Sequence, residues 1–143
     1  MTIDHLAIAV RNVEQAAGRL CSLFGYTRHT HKVTNTRQDV NVLFLRKEGS
    51  LALKLIEPAS DASPLWDFVR KGGGLHHICF KAASVDAACA DLTAKGARLL
   101  SPPQPGEAFD DQLIAFLYAG SGLNVEVIDT DRRRAVVAPE DKP

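Results

Sequence analysis

The chain has 143 residues, 17 of them basic and 17 acidic, so its formal net charge is zero with histidine neutral. That length suits one ordinary domain with a buried core, and the balanced charge disfavours nucleic acid and anionic lipid as partners. Cys21, Cys79 and Cys89 are odd in number without a C-x-x-C pair, which argues against a disulfide framework and fits a reducing cytoplasm; no apolar run nears the roughly 20 residues of a membrane span and no signal-peptide pattern leads the chain, so a soluble, unprocessed protein is expected.

Thr2 to Val10 reads as a first strand. Asn12 can cap a following helix, in which Val13, Ala16, Ala17, Leu20, Leu23 and Phe24 keep helical spacing and Gly25 marks the end. Tyr26 to Val33 and Asp39 to Arg46 read as strands around the polar Thr34–Arg37 loop, and Lys47–Ser50 turns into a strand from Leu51 to Glu57 that Pro58 stops. A linker and a short helix, Leu65 to Lys71, lead to Gly72-Gly73-Gly74. The order then recurs: a strand from Leu75 to Ala82, a helix from the Ser84 cap through Leu92 to Gly96, a strand near Ala97–Ser101, a Pro-rich loop, and a hairpin of Gln112–Tyr118 and Leu123–Asp129. The tail from Thr130 is charged, contains proline and is expected to be peripheral.

The recurrence has one offset. Sliding the chain by 72 pairs His5 with His77, Val13 with Val85, Leu20 with Leu92, Phe44 with Phe116, Leu51 with Leu123 and Ile56 with Ile128, and also the caps Asn12 and Ser84. The expected architecture is α+β: two pseudo-symmetric βαβββ modules forming a curled eight-stranded mixed sheet with a concave site. Module one spans 1–58, the linker helix 59–73, module two 74–130 and the tail 131–143, all in a single domain.

Alternation assigns the faces. Leu51, Leu53 and Leu55, with Leu123, Val125 and Val127, must pack on the helices, which leaves Lys54 and Glu126 on the opposite side, again 72 apart. Leu6, Ile8 and Val10, with Ile78 and Phe80, read as helix-facing, which places His5 and His77 beside Lys54 and Glu126. By the same rule His76 points toward the helices and belongs to the scaffold.

The segments Ile3-Asp4-His5-Leu6-Ala7, Leu53-Lys54-Leu55-Ile56-Glu57-Pro58, Gly74-Leu75-His76-His77-Ile78 and Val125-Glu126-Val127 resemble the four strand motifs of the vicinal-oxygen-chelate superfamily, the glyoxalase/bleomycin-resistance/dioxygenase fold, closest to its methylmalonyl-CoA epimerase and glyoxalase-like branch. The resemblance covers about Thr2 to Asp129. It implies a divalent metal (Zn, Co, Ni, Mn or Fe) in the concavity, a small-molecule substrate and a homodimer. It carries metal ligation onto His5, His77 and Glu126, and it places Lys54 at the fourth ligand position and Asn41 at the third-strand position of a catalytic glutamate. Asn41 cannot accept a proton, so a two-base epimerisation is in doubt.

Lys54 leaves three readings open. A metal could depress its pKa so that a neutral amine acts as base or ligand. Two histidines and one carboxylate could form an Fe(II) facial triad that leaves Lys54 free. The lysine ammonium could itself fill the cation site against Glu126, so that no metal binds. The expected function is metal-assisted proton transfer, an isomerase, epimerase or lyase, on a carbonyl compound such as an acyl-CoA thioester, with Glu126 and Lys54 as catalytic groups. The alternatives are an Fe(II)-dependent dioxygenase and a metal-free small-molecule binding or resistance protein. Glu57 has the wrong parity to replace the missing ligand, Cys79 reads as a small buried hydrophobe, and His29 and His31 read as surface residues. Arg132-Arg133-Arg134 reads as a solvated run; Phe44, Phe116 and Tyr118 read as core or pocket wall.

Overall fold

Each helix is started twice by its own module. In the computed structural model, which describes residues 1–138, the Asn12 side chain accepts from the Gln15 N–H ahead of α1 (Val13–Phe24), and the Ser84 side chain accepts from the Ala87 N–H ahead of α3 (Val85–Ala94). A carboxylate arriving from a strand end adds a second acceptor: Glu57 Oε1 takes the Val13 N–H at 2.6 Å, and Asp129 Oδ2 takes the Val85 N–H at 3.0 Å. Gly25, at φ 74°, closes α1 in the left-handed conformation.

The strands are β1 (Thr2–Ala9), β2 (Thr27–Arg28), β3 (Val33–Asn35), β4 (Val40–Arg46), β5 (Ala52–Pro58), β6 (Gly74–Lys81), β7 (Arg98–Gly106), β8 (Gln112–Tyr118) and β9 (Asn124–Ile128). They form one mixed sheet in the order β2-β4-β5-β1-β6-β9-β8-β7, with β3 pairing β4. β1 and β6 run antiparallel at its centre; β5 lies parallel to β1 and β9 parallel to β6, so the repeat becomes a pseudo-two-fold arrangement. A third helix, α2 (Trp66–Arg70), precedes Gly73, where a side chain would meet the Ala9 carbonyl oxygen at 2.5 Å. No helix is long and apolar enough to cross a membrane, among the described residues.

Two elements differ from the sequence expectation. The second strand is split into β2 and β3, because His29 and His31 pair through their backbones with the tail. β7 continues through Pro102, Pro103 and Pro105, which had suggested a loop. It is the outermost strand and its register with β8 slips twice, so the missing proline N–H groups interrupt only one ladder.

One face of the sheet carries α1 and α3, packed on Leu43, Leu45, Leu53 and Leu55 and on Ala115, Leu117, Val125 and Val127. The other, inner face holds Val42, Phe44, Ile56, Cys79, Ile114 and Ile128, with Phe109 from a 3-10 turn (Glu107–Phe109) and Leu65 and Val69 from the α2 segment. The tail crosses this side too: Arg134 N–H bonds the Ala108 carbonyl, and Val137 N–H bonds that of His29. The expectation of a peripheral tail is therefore corrected through residue 138, and residues 139–143 lie outside the described residues.

Candidate functional site

Four polar side chains meet on the inner face, and their strands explain why. His5 on β1, Lys54 on β5, His77 on β6 and Glu126 on β9 come from the four central strands, each on the parity that turns away from α1 and α3. Glu126 is the hub. Lys54 Nζ lies 3.0 Å from its Oε2 and 3.2 Å from its Oε1, His5 Nε2 lies 3.1 Å and His77 Nε2 3.3 Å from Oε1. All four are buried, with Lys54 at 2% and His5 and Glu126 at 0% exposure.

Bulges supply a second layer. β1 and β6 slip in register between Ile3 and His5, and again where Ala7 pairs His77 while Ile8 pairs Leu75. Asp4 and His76 are the extra residues, and a bulge turns adjacent side chains toward one side. Asp4 Oδ2 consequently accepts from His5 Nδ1 at 2.7 Å, while His76 Nδ1 meets His77 Nδ1 at 2.8 Å. This corrects the assignment of His76 to the helix side: strict alternation fails at the bulge. Asp4 is held in turn by Arg133 at 2.7 Å, whose guanidinium stacks 4.6 Å from the Phe44 ring centre and 4.7 Å from that of Phe109.

Burial pulls the Glu126 carboxyl toward its neutral form, but the Lys54 charge and the bonds from His5 and His77 outweigh it and hold the pKa well below the usual range. Burial lowers His77 to about 4, and burial with the Lys54 charge lowers His76 as well. Asp4 is raised by burial and lowered more by His5 and Arg133, ending below its ordinary value. Burial pushes the Cys79 thiol up, so it is an inert wall residue.

His5, His77 and Glu126 form a cluster that could hold a divalent ion, since one donor atom from each lies within 4.8 Å of the others. For His5 to bind an ion, its Nδ1–H would stay on Asp4 and Nε2 would turn its lone pair to the metal in place of its present bond to Glu126. Lys54 does not fit that role. Its ammonium already bridges both Glu126 oxygens, and Asp4, Glu126, Lys54 and Arg133 balance as two negative and two positive groups. A dication would be uncompensated, and a unit charge about 4 Å away interacts by roughly 4 kcal/mol per charge at an effective dielectric of 20.

Asn41 is not at the site. It faces the helix side, where Thr34 Oγ1 donates to it and its amide donates to Glu57. On the inner face β4 offers Val40, Val42 and Phe44, so no proton acceptor comes from this strand. Phe116 packs edge-on to His77 at 5.3 Å and Phe44 edge-on to His5 at 5.3 Å, both as part of the core around the polar cluster, whereas Tyr118 lies under Arg98 at the sheet edge. Arg132–Arg134 does not act as one solvated run: the Arg133 side chain is covered and pairs with Asp4, and Arg134 pairs with Asp110 and Asp111. Sequence reasoning missed Asp4, Arg133 and Phe109; the offset of 72 that pairs Asp4 with His76 was the available signal for the first. A cavity of about 170 Å³ lined by Gln38, Val40, Pro64, Leu65, Phe68 and His76 reaches the outer side of the histidine pair.

The family model described as the Glyoxalase/Bleomycin resistance protein/Dioxygenase superfamily matches residues 4–116. A human mitochondrial methylmalonyl-CoA epimerase is 34% identical over 101 residues, 69% of this chain and 56% of that protein, so the chain spans just over half of that relative's length. An ethylmalonyl-CoA/methylmalonyl-CoA epimerase of Cereibacter sphaeroides is 29% identical over 118 residues, covering 81% of this chain and 87% of that protein. Among solved structures, a variant Streptomyces coelicolor methylmalonyl-CoA epimerase in complex with 2-nitronate-propionyl-CoA superposes with a TM-score of 0.80 at 28% identity, covering 92% of this chain and 98% of that one. A methylmalonyl-CoA epimerase in complex with methylmalonyl-CoA and NH4+ gives 0.80 at 29%, covering 91% and 94%.

Proposed function

The chain belongs to the glyoxalase/bleomycin resistance protein/dioxygenase superfamily, and from that membership we propose that it is an isomerase of the epimerase type, moving the proton on the carbon next to the carbonyl of a small acyl-CoA thioester. The observation that carries the reading is a buried, ionised carboxylate, Glu126, ringed by His5, His77 and a positive charge on the inner face. Relatives are named as epimerases of methylmalonyl-CoA or ethylmalonyl-CoA, and one solved structure holds methylmalonyl-CoA together with NH4+, a small cation of the same chemistry as the Lys54 ammonium.

In this reading the substrate carbonyl oxygen lies against the positive charge beside Glu126. Glu126 takes the α-proton, the electron pair moves onto the thioester oxygen as an enolate, and the protonated carboxyl returns a proton to carbon. On the inner face β4 contributes only Val40, Val42 and Phe44, so one carboxylate serves both directions: the planar enolate must turn its opposite face to Glu126 before the proton returns, and solvent deuterium enters if that proton exchanges during the turn. An iron facial triad needs open positions on the same three donors, and Lys54 fills the place beside Glu126. Homodimerisation and residence in a reducing cytoplasm belong to the same proposal; the unbridged Cys21, Cys79 and Cys89 suit that compartment.

The test is incubation with methylmalonyl-CoA and ethylmalonyl-CoA in deuterium oxide, read by mass spectrometry. Deuterium is expected at the α-carbon at least as fast as the epimers interconvert, with loss of about 100-fold or more in Glu126→Gln. No exchange into either thioester by folded protein would overturn the assignment.

A further inference from the structure

We propose that Lys54 is the resident cation of this site: its ammonium takes the place a divalent ion would occupy among His5, His77 and Glu126, and the protein works without a metal. The use made of the charge rests on the proposed proton-transfer function; the occupancy itself rests on the geometry.

Lys54 and Glu126 are equivalent positions of the two modules, 72 residues apart, on β5 and β9, the strands flanking the central pair. The pseudo-symmetry that brings two donor residues together on a shared ion here brings a cation and an anion together, and the pair satisfies itself. Both carboxylate oxygens receive the ammonium, at 3.0 and 3.2 Å. The remaining surroundings confine it: the Phe109 ring centre lies 5.2 Å and the Phe116 centre 6.0 Å from Nζ, and Phe109 is fully buried. Lys54 is 2% exposed, and moving its ammonium away would strand the fully buried Glu126 without that partner.

An ammonium does part of what an ion would do. It has three N–H donors, of which Glu126 engages two, so one is left for an incoming substrate oxygen. Charge accumulating on that oxygen would meet a fixed donor that needs no reorganisation. The site is also closed to the usual alternative, because a dication would have to push aside a like charge attached to the sheet.

Cobalt(II) titration of the wild type, Lys54→Gln and Lys54→Met, each verified as folded by circular dichroism, tests the inference. The wild type is expected to take up no stoichiometric cobalt and to keep its melting temperature in EDTA. Lys54→Gln should bind one cobalt per chain at least about 100-fold more tightly, with visible d–d absorption. Lys54→Met, which removes the charge without adding a donor, should bind at least about 10-fold more tightly than wild type, and it decides the matter if Lys54→Gln does not fold. One cobalt per wild-type chain within about 10-fold of the variants' affinity would overturn the inference, as would folded variants that bind no more tightly than wild type. Deuterium exchange separates this from the functional proposal. Exchange that appears in the wild type only after cobalt is added overturns the role of Lys54 and leaves the activity standing; absence of exchange under all conditions overturns the activity, and the titration alone then judges Lys54.

Discussion

The Nδ1 atoms of His76 and His77 lie 2.8 Å apart, although the two residues are neighbours in β6 and alternation would send them to opposite faces. The bulge that turns them together recurs one repeat earlier, where Asp4 meets His5. Each histidine facing Glu126 is thereby held from behind by the residue that precedes it. One member of the His76–His77 contact must donate and the other accept, so the pair fixes the ring of His77.

Replacing His76 by alanine leaves the buried Nδ1 of His77 without that partner. The expected cost is about 1–3 kcal/mol, with His76→Gln, which can still donate or accept, recovering more than half of it. Urea unfolding reads this as a lower midpoint at an unchanged slope. Equal midpoints for His76→Ala and wild type would show that the contact contributes nothing.

Stability should fall on acidification from near neutrality, in part through His77. Its pKa is lowered by burial from 6.5 to about 4, so between those values the unfolded chain binds the proton and the folded chain does not. The contribution is therefore complete above 6.5 and is lost as pH falls toward 4, on the order of 3 kcal/mol in all. Glu126 and Asp4 have the same sign further down, since both are depressed carboxyls whose stabilisation disappears as they protonate. Thermal unfolding from pH 7 to 4 measures the slope, and His77→Asn should flatten it above the carboxylate range.

Arg133 joins the tail to the site by packing as well as charge. Its side chain is 7% exposed, pairs with Asp4 and covers the faces of Phe44 and Phe109. Arg133→Ala is expected to destabilise by roughly 2–4 kcal/mol, and Arg133→Lys to recover less than half, because an ammonium cannot stack as a planar guanidinium does. Limited proteolysis should then cut near the tail in Arg133→Ala faster than in wild type. Lysine that restores the wild-type melting temperature would reduce the residue's role to its charge.

The four polar positions are legible in the sequence because they obey simple periods. His5, Lys54, His77 and Glu126 sit among apolar residues of opposite parity, and a single offset relates them pairwise. The helix caps were legible for the same reason, being local in the chain. Asn41 was not: its alignment put it at the site, whereas the β4 register turns it to the helix side with Glu57. Pro102–Pro105 read as a loop because proline's local rule ignores whether a strand has one neighbour or two.

By itself, the sequence determined the two-module repeat, the inner and outer faces, and the presence of a lysine where the repeat offers a carboxylate. Hydrophobic periodicity and a repeat offset are properties of one chain segment at a time. Only the tertiary structure decided that Asp4 and His76 turn inward, because a bulge is a mismatch between two strands and belongs to neither. It also decided that Arg133 leaves the charged tail to lie against Asp4, and that the Lys54 ammonium reaches both oxygens of Glu126 rather than solvent. Those arrangements depend on which groups burial brings together, and a buried charge settles against the partner that the fold supplies.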